Sequence, residues 1–238
     1  MFLDKGFFKM TSKRLNSYNG RLDYKQIADG INCSKRNSVR LAEDARILLD
    51  AHRYASAASL AILAIEESGK SFILRSMAIA DDDKEVLDLW KDFRSHTKKN
   101  VLWLMPQLFM DGARILDDYK SLFESESEHP YTLEKLKQIS FYTDCLGKAH
   151  WTEPSLVIDK DLATALTQVA KMFAKATEVK EKEIELWVKH MGGVKESSLQ
   201  EQKVALLNWY AEMSEFELLP KNFDFTDFTK WLGLGEEK

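Results

Sequence analysis

The sequence predicts an all-α helical bundle, and three observations carry that expectation. Glycine and proline are scarce, 10 and 4 among 238 residues, so few positions interrupt a helix. Apolar residues recur at helical spacings through most of the chain. No alternating run of useful length marks a strand, and no internal repeat occurs. With 45% hydrophobic and 30% charged residues, the chain can bury a sizeable core. The net charge of −4 excludes a generally basic nucleic-acid coat but leaves room for a local basic site.

Residues 1–20 carry Lys5, Lys9, Lys13 and Arg14 and read as a basic, loosely ordered arm. Residues 21–219 read as a single helical domain, and 220–238 as an aromatic tail with Phe223, Phe225, Phe228 and Trp231. The helical period starts at Tyr24, with Asn32 or Ser34 able to cap a break before Val39, Leu41, Ala45 and Leu48. A second helix spans about Tyr54 to Ala80, and its small residues at 55–61 invite a close neighbour. Asp81, Asp82 and Asp83 suit the N-terminus of a third helix, because carboxylates favour the positive helix pole. That helix carries Val86, Leu89, Trp90 and Phe93 on one face and continues or restarts before Val101. Pro106 marks a kink or a first turn. Residues 116–132 read as a polar loop, about 133–144 as a short helix and 147–154 as a turn-rich connector. A long helix runs from Asp159 to about His190, ended by Gly192 and Gly193, and a last one from about Leu199 to Phe216.

Cys33 and Cys145 are far apart and fit neither a redox nor a zinc spacing, which suits a reduced cytoplasmic protein. The N-terminal stretch has no secretory pattern. The longest mid-chain apolar run, Leu60 to Ile65, falls far short of the about 20 residues that a bilayer needs, so no membrane association is expected.

That run leads straight into Glu66, Glu67, Ser68, Gly69 and Lys70. At about 100° per residue Lys70 projects between the two acids, on the face that also holds Ile62, Leu63, Ile73 and Leu74. Burying an ion costs several kcal/mol unless it is paired and hydrogen-bonded. An exposed Glu66–Lys70 pair would return only about 0.2–0.5 kcal/mol. Gly69 in a helix interior costs about 1 kcal/mol relative to Ala and suggests another backbone close by. The plainer account is a simple Glu66–Lys70 ion pair with Glu67 at a solvent edge. The functional account makes the cluster a site. A second constellation, Arg94, His96, Lys98 and Lys99, suits a phosphate or another acidic partner, or else a solvated helix end. Arg46 and His52 give an R-x5-H spacing, but point about 120° apart on one straight helix. The sole E-x-x-H, Glu126 to His129, sits in the expected loop, and a di-iron bundle needs two on helices. No metal site and no cofactor are therefore expected, and no phosphate loop or nucleophile elbow occurs. His150 and Trp151 stand in the connector without a visible partner.

These residues carry a resemblance. Tyr24 to Lys70, with Asn37, Arg53-Tyr54, Ala58, Leu60 to Ala64 and Glu66 to Lys70, resembles the AbiV abortive-infection family of the HEPN superfamily. Phe93 to Lys99 is similar to that family's F-R-x-H-x-x-K segment. Ile139 to Asp144, followed by Trp151 and Pro154, resembles its Y-x-D…W…P region. The resemblance covers roughly residues 24–190. It implies a HEPN-like helical bundle with additional C-terminal helices, commonly a homodimer, in antiviral defence that arrests the infected host. Many HEPN proteins are metal-independent ribonucleases with an R-x4-6-H motif that meets its copy across the dimer. Here Ile47 follows Arg46 where a polar residue is expected, which weakens Arg46 and His52 as that motif. The family's charged positions fall instead on Glu66, Glu67, Lys70, Arg94, His96 and Lys99.

Two functions follow as expectations. In the first, the protein cleaves RNA, with His96 as acid/base, Glu66, Glu67 and Lys70 beside it, and Arg94, Lys98 and Lys99 on the phosphate. In the second, it blocks translation without catalysis by binding the ribosome or a phage-encoded activator protein.

Overall fold

The structure is a computed structural model that describes residues 16–124, 127–175 and 177–235. Its helices are α1 (Tyr24–Asp50), α2 (Tyr54–Ala78), α3 (Asp83–Arg94), α4 (Met105–Met110), α5 (His129–Phe141), α6 (Pro154–Val157), α7 (Lys160–Phe173), α8 (Glu181–Met191), α9 (Leu199–Glu215) and α10 (Phe225–Trp231). A short antiparallel hairpin, β1 (Asp144–Leu146) and β2 (His150–Thr152), joins α5 to α6. The architecture is all-α, as expected.

The chain folds around α2. Ala57, Ala58, Ala61 and Ala64 are fully buried, so α1 packs closely along this helix. Ser38 on α1 donates to the Ala64 carbonyl at 2.8 Å and shares a 2.7 Å hydrogen bond with Ser68. One core joins α1, α2, α5 and α7 through Leu41, Ala45, Ile62, Leu133 and Leu166. A second joins α1, α2, α3 and α8 through Ile31, Leu74, Val86, Trp90 and Ile184. A helix covered on so many sides has little solvated face. This is why charges on α2 must find partners within the protein.

Helix ends follow the expected chemistry in several places. Asp23 and Ser198 form capping boxes at α1 and α9. Asp82 accepts from the Glu85 N–H at the start of α3, and Asp159 accepts from the Leu162 N–H at the start of α7. Pro106 lies in the first turn of α4.

Other expectations are corrected. The helix does not break at Asn32 or Ser34; α1 is continuous, and both residues are buried within it. Nor does one helix run from Asp159 to His190. It stops at Phe173 and restarts at Glu181. One contact explains both departures. The Asn32 side chain donates to the Val179 carbonyl and accepts from the Val179 N–H, each at 2.8 Å. Those two bonds occupy backbone groups that a continuous helix would have used itself.

The expected loop at 116–132 holds a 3-10 helix, Leu116–Phe123, and the first turn of α5, which Pro130 starts. Asp118 tightens its beginning by accepting from the Arg114 and Ile115 N–H groups. The connector forms the hairpin, whose turn uses positive φ at Gly147 and Ala149. Of the basic arm, residues 1–15 lie outside the described residues, as do Ser125 and Glu126 of the E-x-x-H stretch. Residues 18–21 are pinned to α3: Trp90 donates to the Gly20 carbonyl, and Arg21 pairs with Asp83. The aromatic tail folds back onto α9, where Tyr210 packs against Phe223 and Phe228.

Candidate functional site

The site forms where α2, the turn after α3 and α5 meet. Its centre is Glu66, only 2% exposed. Its Oε1 accepts from Lys137 Nζ at 2.7 Å, its Oε2 lies 2.7 Å from His96 Nδ1, and Lys99 Nζ is 3.9 Å from Oε2. Lys137, 4% exposed, also bonds Glu134 at 2.5 Å. The carboxylate thus meets the requirement for a buried ion: pairing, with hydrogen bonds on both oxygens.

The fold brings His96 here through a close backbone crossing. Helix α3 ends at Arg94, and a 3-10 turn, Thr97–Lys99, passes over α2 at Gly69. A Cβ on residue 69 would overlap the Lys99 carbonyl oxygen. Gly69 is therefore the residue that lets the His96–Lys99 turn reach Glu66, as the sequence suggested.

The structure re-pairs the α2 charges. Lys70 does not bond Glu66. It bonds Glu67 at 2.5 Å in an i,i+3 pair and lies 4.9 Å from the Phe93 ring centroid. Glu66, the acid assigned to that pair, points instead to α5 and the His96 turn. Glu67 and Lys70 are both mostly covered, so Glu67 is not the free solvent edge of the plainer account. His96 keeps half its side chain exposed, and its Nε2 has no protein partner among the described residues.

Electrostatics divide the cations by depth. Burial pushes the Lys99 ammonium below its ordinary value, against the opposing pull of Glu66. Burial alone would raise Glu134, but the Lys137 hydrogen bond, with help from Gln138 and the charges of Lys137 and His96, holds it below its ordinary range. Lys98 is exposed. Arg94 stands apart. It donates to the carbonyls of Trp90 and Tyr18, lies over the Trp90 ring and makes no bond to the cluster among the described residues.

The weaker pair is not assembled. Arg46 bonds Asp50 at 2.7 Å on the surface of α1. His52 lies beyond that helix, not within it, at a φ of 58° in the α1–α2 turn, where its Nδ1 is 3.0 Å from the Tyr54 hydroxyl. No contact joins Arg46 and His52 among the described residues. His150 and Trp151 form β2 on the surface.

Lys137 and Glu134 escaped the sequence reading, although a signal existed. Pro130, Leu133, Lys137 and Ser140 are the buried stripe of α5, so Lys137 breaks an apolar period just as Glu66 does. Ligand atoms of Glu66, His96 and Glu134 lie within 4.8 Å of one another, a grouping that no motif spacing announces. The Lys137 ammonium bonds both carboxylates of that trio and so supplies its cation.

Both cysteines are free and exposed. No helix among the described residues is long and apolar enough to cross a membrane. No curated protein and no solved structure matches the chain. One family model, the HEPN-type AbiV family, matches residues 26–175, a span that contains Glu66, His96, Lys99, Glu134 and Lys137. With well over half of its length covered by that model, the chain belongs to the AbiV family of HEPN proteins.

Proposed function

We propose that this protein is an abortive-infection effector that arrests the infected cell by cutting RNA without a metal, with His96 as its acid/base. The carrying observation is the Glu66–His96 pair. A buried carboxylate holds Nδ1 at 2.7 Å and turns the ring so that Nε2 is left for a substrate on the exposed side. A ring so held presents one nitrogen that can take a proton and later return it.

In this reading Nε2 takes the proton of a ribose 2′-hydroxyl. The 2′-oxygen then attacks the adjacent phosphorus, and the 5′-oxygen leaves. The products are a 2′,3′-cyclic phosphate and a 5′-hydroxyl. We assign the proton for the leaving oxygen to Lys70, which Glu67 anchors. Lys98 and Lys99 face the phosphate charge. Glu66 is a positioning residue and not the base, because both its oxygens are already engaged. Arg94 has no part in holding phosphate, since its guanidinium is committed to Trp90 and Tyr18. Two copies of the chain act together as a homodimer.

The test is incubation of the purified protein with total cellular RNA, wild type beside His96→Ala. Cleavage by the wild type and none by the variant, at unchanged circular dichroism, is expected. Full cleavage by His96→Ala removes the proposal. A second reading, binding to the ribosome or to a phage protein without catalysis, is favoured by the exposed apolar residues of the hairpin region, Trp151 at 77%, Tyr142 at 63% and Leu146 at 42%. It predicts that Trp151→Ser abolishes growth arrest while no preparation cuts RNA.

A further inference from the structure

Where carboxylates converge, a metal ion and an ammonium group compete for the same place. Such a place lies between α2, the turn after α3 and α5, where ligand atoms of Glu66, His96 and Glu134 come within 4.8 Å of one another. One imidazole nitrogen and two carboxylate oxygens form a donor set that suits zinc or cobalt(II), with a water as fourth ligand. What bridges the two acids here is an ammonium. Lys137 Nζ bonds Glu66 Oε1 at 2.7 Å and Glu134 Oε2 at 2.5 Å, and the residue is 4% exposed.

The fold ties that ammonium to its position. Lys137 stands one turn along α5 from Glu134, so the helix itself sets its reach. It belongs to the buried stripe of α5, with Leu133 and Ser140, and has no path into water. Gln138 donates to Glu134 Oε1 at 2.7 Å, which turns Oε2 toward Lys137, as an outer hydrogen bond orients a metal ligand. A divalent ion entering the trio would meet a buried like charge, and low local dielectric makes that contact severe.

Removal of Lys137 reverses the balance. Among the described residues, Glu66 would then keep His96 and the more distant Lys99, and Glu134 would keep only the Gln138 amide. Metal–oxygen bonds are about 2.0–2.2 Å, so each carboxylate oxygen would close in by about half an ångström from its present distance to the ammonium.

We infer that Lys137 decides whether this centre takes a metal: its ammonium holds the place of a divalent cation and keeps the trio metal-free, and without it Glu66, His96 and Glu134 form a three-ligand zinc or cobalt(II) site. Lys137 is thus a positioning residue that also sets the choice of cation. The inference rests on the arrangement of four side chains and does not depend on the chain cutting RNA.

The full chain, Lys137→Met and Lys137→Leu are titrated with cobalt(II) chloride and then zinc chloride at neutral pH; the leucine variant removes the thioether as a possible ligand. Both variants should develop the visible absorption of four-coordinate cobalt, lose it to zinc, and bind at least about tenfold more tightly than wild type. Zinc should raise their melting temperatures and leave that of wild type unchanged. Adding His96→Ala or Glu134→Gln to Lys137→Met should abolish both signals. A variant that folds only when zinc is added supports the inference, and one that stays unfolded with zinc overturns it. So does a wild type that binds cobalt as tightly as the variants, or a folded Lys137→Met that shows neither absorption nor a zinc-dependent melting temperature. None of these readouts uses RNA, so failure here and failure of the cleavage proposal are separable.

Discussion

Replacing Lys137 by Met leaves the Glu66 carboxylate buried with one of its two close partners gone. Removing one member of a buried ion pair costs about 3–5 kcal/mol. Here His96 remains at 2.7 Å and Lys99 at 3.9 Å, and the methionine keeps most of the lysine's apolar stem in place. These contacts put the expected cost at the lower end, about 3 kcal/mol. For a chain of this length that corresponds to a melting temperature lower by about 6–12 °C. The assay is urea and thermal unfolding of wild type, Lys137→Met, Glu66→Met and the double variant. In the double variant neither member of the Glu66–Lys137 pair is left without the other, while Glu134 loses Lys137 and Lys99 loses Glu66, so a coupling of about 2 kcal/mol should be recovered. A Lys137→Met variant within about 1 kcal/mol of wild type, or single effects that simply add, would refute the buried network as the organiser of the site.

Three further outcomes follow from the geometry. Gly69→Ala gains about 1 kcal/mol of helix propensity but drives a Cβ into the Lys99 carbonyl, so a net loss of about 1–2 kcal/mol is expected in chemical unfolding, with loss of RNA cleavage. Asn32→Ala strands the Val179 N–H and carbonyl and should cost about 2–4 kcal/mol; hydrogen exchange should quicken first at residues 177–180. The Glu134 carboxyl is held below its ordinary 4.5, so its contribution to stability is complete above that pH and is lost as pH falls through the lowered folded-state value; Glu134→Gln should flatten the acid limb of a stability–pH curve there.

The parts of the fold that local chemistry sets were legible in the sequence. Periodicity and capping gave α2, α3 and α9 with bounds close to those observed, because Asp82 and Ser198 act within their own turns. What escaped is held by contacts between distant residues. Nothing in residues 174–180 breaks a helix by itself; Asn32, 147 positions away, does so by taking Val179's backbone bonds. The hairpin strands have three residues each, too short for an alternating pattern to register. At the site, Gly69 announced a close backbone and Lys99 supplies it. The cluster of Glu66, Glu67 and Lys70 was visible as charge on an apolar face, but its wiring was not. Spacing favours the i,i+4 partner of Glu66, whereas a helix packed on several sides delivers Lys137 and His96 to the same carboxylate. Arg94 shows the reverse case, a cation within a matching motif that tertiary packing turns away.

The chemistry of the cut ends tests the central claim most directly. RNA exposed to the purified protein in the presence of EDTA should yield fragments ending in 2′,3′-cyclic phosphate and beginning with 5′-hydroxyl, and His96→Ala should yield none. Fragments with 3′-hydroxyl and 5′-phosphate ends that vanish with EDTA would contradict the account, and would move the chemistry from His96 to a metal held by Glu66, His96 and Glu134.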